Sequence, residues 1–145
     1  MAAETTVARE GRVNPVNSVG VASRTKERAE RVISDFRSKY RTSFATMSGI
    51  PQAKSNFVYS LTEKKRREQF PFLDNTGNED KERAFDYVAG GAVKGGAKEV
   101  AKALNASGLG DRWKAVREEK DLMELRSTDP WGNEHRMIIK PRKNK

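Results

Sequence analysis

The chain has 145 residues, with 29 Lys+Arg against 20 Asp+Glu, a formal net charge of +9, one histidine and no cysteine. Without cysteine there are no disulfides, thiolate nucleophiles or Cys-ligated zinc, and a single histidine rules out paired-histidine metal sites. With 35% hydrophobic and 34% charged residues, the length suits one domain with a small core, and the cation surplus favours anionic partners over chemistry.

Those partners include phosphate backbones, anionic membrane surfaces and acidic protein grooves, all reached through a salt-sensitive field. The surplus is +5 over residues 1–55, +1 over 56–110 and +3 over 111–145, which points to several contact surfaces. No run approaches the roughly 18 apolar residues of a membrane span. The first residues lack the apolar region of a secretory signal. The expected location is cytoplasmic or inside an assembled particle, without secretion by a signal peptide.

Residues 1–22 read as an extended arm, punctuated by Gly11, Pro15 and Gly20, with valines that fit no helical stripe. From the N-cap candidate Ser23, a helix is expected over 24–44: Ala29, Val32, Ile33, Phe36 and Tyr40 form one stripe. Glu27 with Arg31 and Asp35 with Lys39 are i,i+4 pairs on its polar side. Phe57 to Leu61 is a short strand or an anchor. Ser60 and Glu63 then form a capping-box pattern that opens a helix over 61–70, stopped by Pro71. Phe70, Phe72 and Leu73 make an apolar plug, and 74–78 is a turn.

A longer helix is expected over 79–104, with Phe85, Val88, Ala92, Val100 and Leu104 buried. Gly90, Gly91, Gly95 and Gly96 interrupt it. Each glycine inside a helix costs about 1 kcal/mol relative to alanine, so the helix either breaks there or packs closely against another backbone. The spacing fails a phosphate loop, because Gly96 and Ala97 stand where lysine and a hydroxyl residue are needed. Asp111 caps a further expected helix over 112–120, with Trp113 and Val116 on one side. A two-stranded hairpin follows over 121–140, its type I turn signalled by Asp129, Pro130 and Gly132. Residues 141–145 form a basic tip.

The expected architecture is therefore α+β and mostly helical. It consists of an extended arm, a single small domain over 23–140 with three to four helices, and a C-terminal two-stranded β-hairpin. No metal site or cofactor is expected. Lys64, Lys65, Arg66 and Arg67 are the densest basic cluster, and with Arg142 and Lys143 they are the candidate nucleic-acid contacts. Phe57, Tyr59, Phe70 and Phe72 flank the cluster as core residues or as stacking faces for unpaired bases.

Leu122, Met123, Glu124, Leu125 and Arg126, followed by His135, Arg136, Met137, Ile138 and Ile139, resemble the strand pair of RelE/HigB-like toxins. In that family an apolar-Glu-Leu-Arg strand precedes an aromatic-Arg-apolar strand; here His135 takes the aromatic position. The resemblance implies an alternative reading, a small ribonuclease with Arg126, His135 and Arg136 facing RNA. The primary expectation is a non-catalytic, basic structural or accessory component of a larger assembly, virion-like or ribonucleoprotein-like. It would contact protein subunits and have nucleic acid as a candidate partner.

Overall fold

The computed structural model describes residues 15–58, 61–109 and 112–142, with side chains from residue 25 onward. In chain order the elements are α1 (Pro15–Lys39), β1 (Tyr40–Thr46), β2 (Pro51–Gln52), α2 (Glu63–Gln69), α3 (Asn78–Ala92), α4 (Ala97–Ser107), β3 (Lys114–Glu119), β4 (Leu122–Thr128) and β5 (Glu134–Pro141). The strands form one five-stranded antiparallel sheet in the order β2-β1-β5-β4-β3. The expected two-stranded hairpin is thus the β4–β5 part of a larger sheet, and the mixed α+β class is only partly met.

Three expected elements change. Helix α1 starts at Pro15, so the expected arm is helical from there, and residues 1–14 lie outside the described set. Proline suits this first position because its missing N–H has no helical partner anyway. The helix expected to reach 44 ends at Lys39, since Tyr40 to Thr46 pairs with β5 over seven residues. The alternation from Thr42 to Thr46 is short, and the distant partner stabilises it as a strand. The helix expected over 112–120 is strand β3, paired to β4 with a register shift between Ala115 and Arg117. That irregularity hides the period of two, and Trp113 and Val116 then mimic a helical i,i+3 pair.

The helices cover one face of the sheet. Phe44, Leu125, Met137 and Ile139 point into that layer and are buried there with Ala29, Ile33 and Phe36 of α1, Phe85 of α3, and Val100 and Leu104 of α4. The centre is aromatic. Phe44 lies 4.8 Å from Phe57 and 5.4 Å from Phe85, and Trp113 completes the cluster at 6.0 and 5.9 Å from Phe57 and Phe85. Each such pair contributes about 0.5–1.5 kcal/mol beyond the area it buries. Phe57 is therefore an anchor, at the end of a 3-10 turn (Lys54–Phe57). Phe70 and Phe72 pack in a second cluster with Tyr87.

Polar cross-links hold the layers. Asp86 of α3 is fully buried and accepts from Arg37 Nε of α1 and Lys54 Nζ, both at 2.6 Å. Arg83 joins Glu30 of α1 to Asp80 of α3. Asn105 brackets the start of β3: its Nδ2 donates to the Trp113 carbonyl at 2.9 Å and its Oδ1 accepts from the Trp113 amide at 2.8 Å. Trp113 Nε1 donates to the Leu109 carbonyl at 2.8 Å.

The glycines divide by position. Gly96 has φ +96° and breaks the expected 79–104 helix into α3 and α4. Its neighbour's amide, Ala97 N–H, donates to Glu118 Oε1 of β3 at 2.9 Å, so a carboxylate caps the positive end of α4. At Gly90 the helices touch: a Cβ there would stand 3.0 Å from Val32 Cγ1 and Phe36 Cβ and 3.2 Å from the Val32 carbonyl oxygen. Gly91 faces open space, which corrects the expectation that all four mark tight packing or a break. Gly90→Leu should therefore destabilise the fold by about 1–3 kcal/mol through overpacking. Gly91→Ala should leave it unchanged or gain up to about 1 kcal/mol of helix propensity. Equal thermal midpoints for the two variants would disprove the α1–α3 contact.

Candidate functional site

Successive side chains on a strand point to opposite faces. Opposite the helical layer, the register gathers Arg41 of β1, Arg136 and Lys140 of β5, Arg126 of β4, and Lys114 and Arg117 of β3, six cations, against Glu119, Glu124 and Glu134, three acids. Among the described residues no helix covers this face.

One row across the sheet is unusual. Arg136 pairs directly with Arg126, and Arg126 pairs directly with Lys114. Three cations thus stand side by side on adjacent strands about 4.8 Å apart. Like charges directly opposite one another destabilise a sheet, so folding gains nothing from this row. The nearest acid is Glu124, one step along β4. It is only 7% exposed, with Arg117 Nε at 3.4 Å and Arg126 Nε at 3.5 Å. Glu124 therefore steadies two arginines of the face. Among the described residues no carboxylate lies within ion-pair distance of Lys114 or Arg136.

His135 belongs to the other face. Its ring packs edge-on against Phe57 at 5.0 Å and its Nε2 meets Asp129 Oδ2 at 2.9 Å. The structure brings Arg126 and Arg136 together and sets His135 apart from both. The period of two along β5 already implies this separation, because consecutive residues cannot share a face.

The other sequence candidates are largely occupied. Lys65 Nζ donates to the Gly108 carbonyl at 3.1 Å, tying α2 to the end of α4. Arg66 binds the Leu73 carbonyl and Glu63, and this hydrogen bond holds the Glu63 carboxyl below its ordinary range. Arg67 pairs with Glu63 at 3.2 Å, and Lys64 is exposed. The N-cap is Thr62, whose hydroxyl accepts from the Lys65 amide at 3.1 Å; Ser60 lies outside the described residues. Arg142 Nε donates to the Arg37 carbonyl at 2.7 Å, clamping the end of β5 to α1. Lys143 and Tyr59 lie outside the described residues, and Phe57, Phe70 and Phe72 are buried in the core. Sequence reading missed Arg41, Lys114 and Arg117 as members of one face, since it placed 41–44 and 112–120 in helices; Lys140 stood in the expected hairpin, where its period of two with Arg136 was the available signal.

The β4–β5 turn is built around Asp129. Its Oδ1 accepts from the amides of Trp131 at 3.0 Å and Asn133 at 2.8 Å, and its main chain bonds Gly132 N–H and the Asn133 carbonyl. Gly132 takes φ +89°, the left-handed residue that closes a three-residue loop after a type I turn. The sequence-based turn assignment agrees with this geometry. Comparison with protein-family models finds no match, and neither curated proteins nor solved structures give a significant one. Among the described residues no helix is long and apolar enough to cross a membrane, and no group of His, Asp and Glu side chains is placed to hold a metal.

The His135 hydrogen bond, followed by bonds from Asn133 and Trp131, lowers the Asp129 carboxyl from 3.8 to about 2. A depressed folded-state value means that the carboxylate stabilises the fold above the unfolded-chain value of about 3.9 and loses this effect as pH falls toward about 2. Asp129→Asn should lower the urea midpoint at neutral pH, and the gap to the parent protein should close between about pH 4 and about pH 2. A gap of constant size across that range would show that the charge of Asp129 does not hold the turn.

Proposed function

We propose that this protein is a non-catalytic component of a nucleoprotein assembly whose open sheet face holds the phosphate backbone of a nucleic acid. The observation that carries the reading is the row Lys114, Arg126 and Arg136, three like charges placed opposite one another on a face that no helix covers among the described residues. Such a row is unfavourable alone and favourable once phosphates lie across it. The net charge of +9 extends the same attraction beyond the face. Further protein subunits of the assembly are the other proposed partners.

His135 is turned into the helical layer and engaged by Asp129, so it lacks the place beside Arg126 and Arg136 that the ribonuclease alternative gives it. A nuclease would need another acid or base on the face.

Binding of a generic oligonucleotide, followed by fluorescence anisotropy against salt, tests the reading. Affinity should fall steeply, with a log–log slope of several units. The double variant Arg126→Gln/Arg136→Gln should reduce that slope by about 1.4 to 1.8, the loss of two phosphate contacts. The Lys64→Gln/Arg67→Gln variant should leave the slope close to the parent value. No binding at about 50 mM salt would move the partner from nucleic acid to protein. Cleavage of the oligonucleotide that disappears in Arg136→Ala would replace this reading by the ribonuclease one.

A further inference from the structure

The two edges of the sheet differ. Strand β2 is two residues long and begins with Pro51, whose missing N–H blunts that edge. Strand β3 closes the opposite edge with six residues, Lys114–Glu119, and contains neither proline nor glycine. Among the described residues no strand pairs with its outer side. An edge of this kind presents a row of backbone donors and acceptors that suits a further strand. Val116, an apolar residue left 40% exposed, stands in the middle of it.

The sequence of β3 complements itself. A cation, Lys114, stands at one end and two acids, Glu118 and Glu119, at the other. Two copies of β3 laid antiparallel with Lys114 opposite Glu119 of the second copy also bring Ala115 opposite Glu118 and Val116 opposite Arg117. Paired residues lie on the same face of a sheet, so a register holds only if its pairs agree in face. Lys114 and Glu119 are five residues apart and on a regular strand would point to opposite faces. The bulge removes this conflict. Because Val116 is the extra residue between Ala115 and Arg117, Lys114, Arg117 and Glu119 all belong to the open face, opposite Arg126, Glu124 and Leu122. Ala115 and Glu118 face the helical layer, opposite Leu125 and Met123, and Glu118 reaches the start of α4 there. The irregularity that hides β3 in the sequence thus lets its full length pair with a second copy.

From this we infer that β3 is a self-pairing edge and that its partner is a second copy of this chain. The two five-stranded sheets join about a two-fold axis into one continuous sheet, with the helices of both copies on the same side. Lys114, which has no carboxylate within ion-pair distance among the described residues of its own chain, meets Glu119 of the second copy at both ends of the seam. Arg117, nearest the axis, keeps Glu124 and Glu119 of its own chain and so tolerates its counterpart. The Lys114 ammonium has three donors and can hold Glu119 and a phosphate together, so the seam joins the two basic faces. The inference goes beyond the nucleic-acid reading and does not rest on it.

Sedimentation velocity of the full chain free of nucleic acid, from micromolar to millimolar concentration, provides the test. The parent protein should pass reversibly from monomer to dimer. Lys114→Glu sets like charges opposite each other at both ends of the seam, and so does Glu119→Lys. Each should raise the dimer dissociation constant by about tenfold. The double variant Lys114→Glu/Glu119→Lys restores opposite charges in reversed order and should return the dimer to near the parent value. Its recovery would also show that neither substitution blocks folding. Arg126→Gln/Arg136→Gln, on the same face but away from the seam, should leave the dimer intact. A chain that stays monomeric throughout overturns the inference. So does a dimer that ignores both single reversals, or one that the double reversal fails to restore. None of these results alters the salt-dependent oligonucleotide binding that tests the phosphate reading.

Discussion

Phe44, Leu125, Met137 and Ile139 press one face of the sheet against the helices, and among the described residues nothing comparable is built on the other face. Because side chains alternate along a strand, this one-sided contact assigns each strand residue to the core or to the open face. Phe85 and Trp113 can meet Phe44 and Phe57 because β1 and β3 present their inward positions to the same layer. By the same rule Arg126, Arg136 and Lys114 are driven outward together. The basic face is thus the obligatory reverse of the hydrophobic core.

Charge in this protein falls into two groups with different surroundings. Arg37, Lys54, Lys65, Arg66 and Arg83 each meet a carboxylate or a carbonyl oxygen of another segment and act as cross-links. Asp86 and Glu118 complete the set from the acidic side, one buried between two cations and one at the start of α4. Removing either cation from Asp86 would leave a buried carboxylate under-compensated, which is costly in a low-dielectric interior. The cations of the open face are different. Glu124 sits between Arg117 and Arg126 and Glu119 also pairs with Arg117, while Lys114 and Arg136 have no such counter-charge among the described residues. In the tightest cluster along the chain, Lys65 and Arg66 tie α2 to Gly108 and Leu73, whereas the row on the sheet is assembled from three separate strands.

The two ends of the β4–β5 hairpin show how a local signal and a distant one combine. The turn is encoded within five residues, Asp129 to Asn133, and takes the geometry that their identities favour. Its rigidity has a second source, the contact of His135 with Phe57, which comes from a segment far away in the chain. The exposed Trp131 is held through both.

Features that rest on neighbours in the chain were legible in the sequence. The stripe Ala29, Ile33 and Phe36 is buried as its spacing demands, Asp35 and Lys39 pair at 3.3 Å, and the α2 helix ends just before Pro71. The glycine stretch does break the long helix, at Gly96. Helical periodicity, capping and turn chemistry need only a few residues in sequence, and their energies are set locally. Strands β1 and β3 were not legible. Their segments are short, β3 is irregular at Ala115 to Arg117, and each becomes a strand only because β5 or β4 supplies its hydrogen bonds from far along the chain. The candidate site shares that dependence. The sequence determined that the protein carries a cation surplus and that His135 cannot share a face with Arg136. Only tertiary structure decided which cations become neighbours, because the row Lys114, Arg126 and Arg136 exists through inter-strand register, and register is a property of the folded sheet.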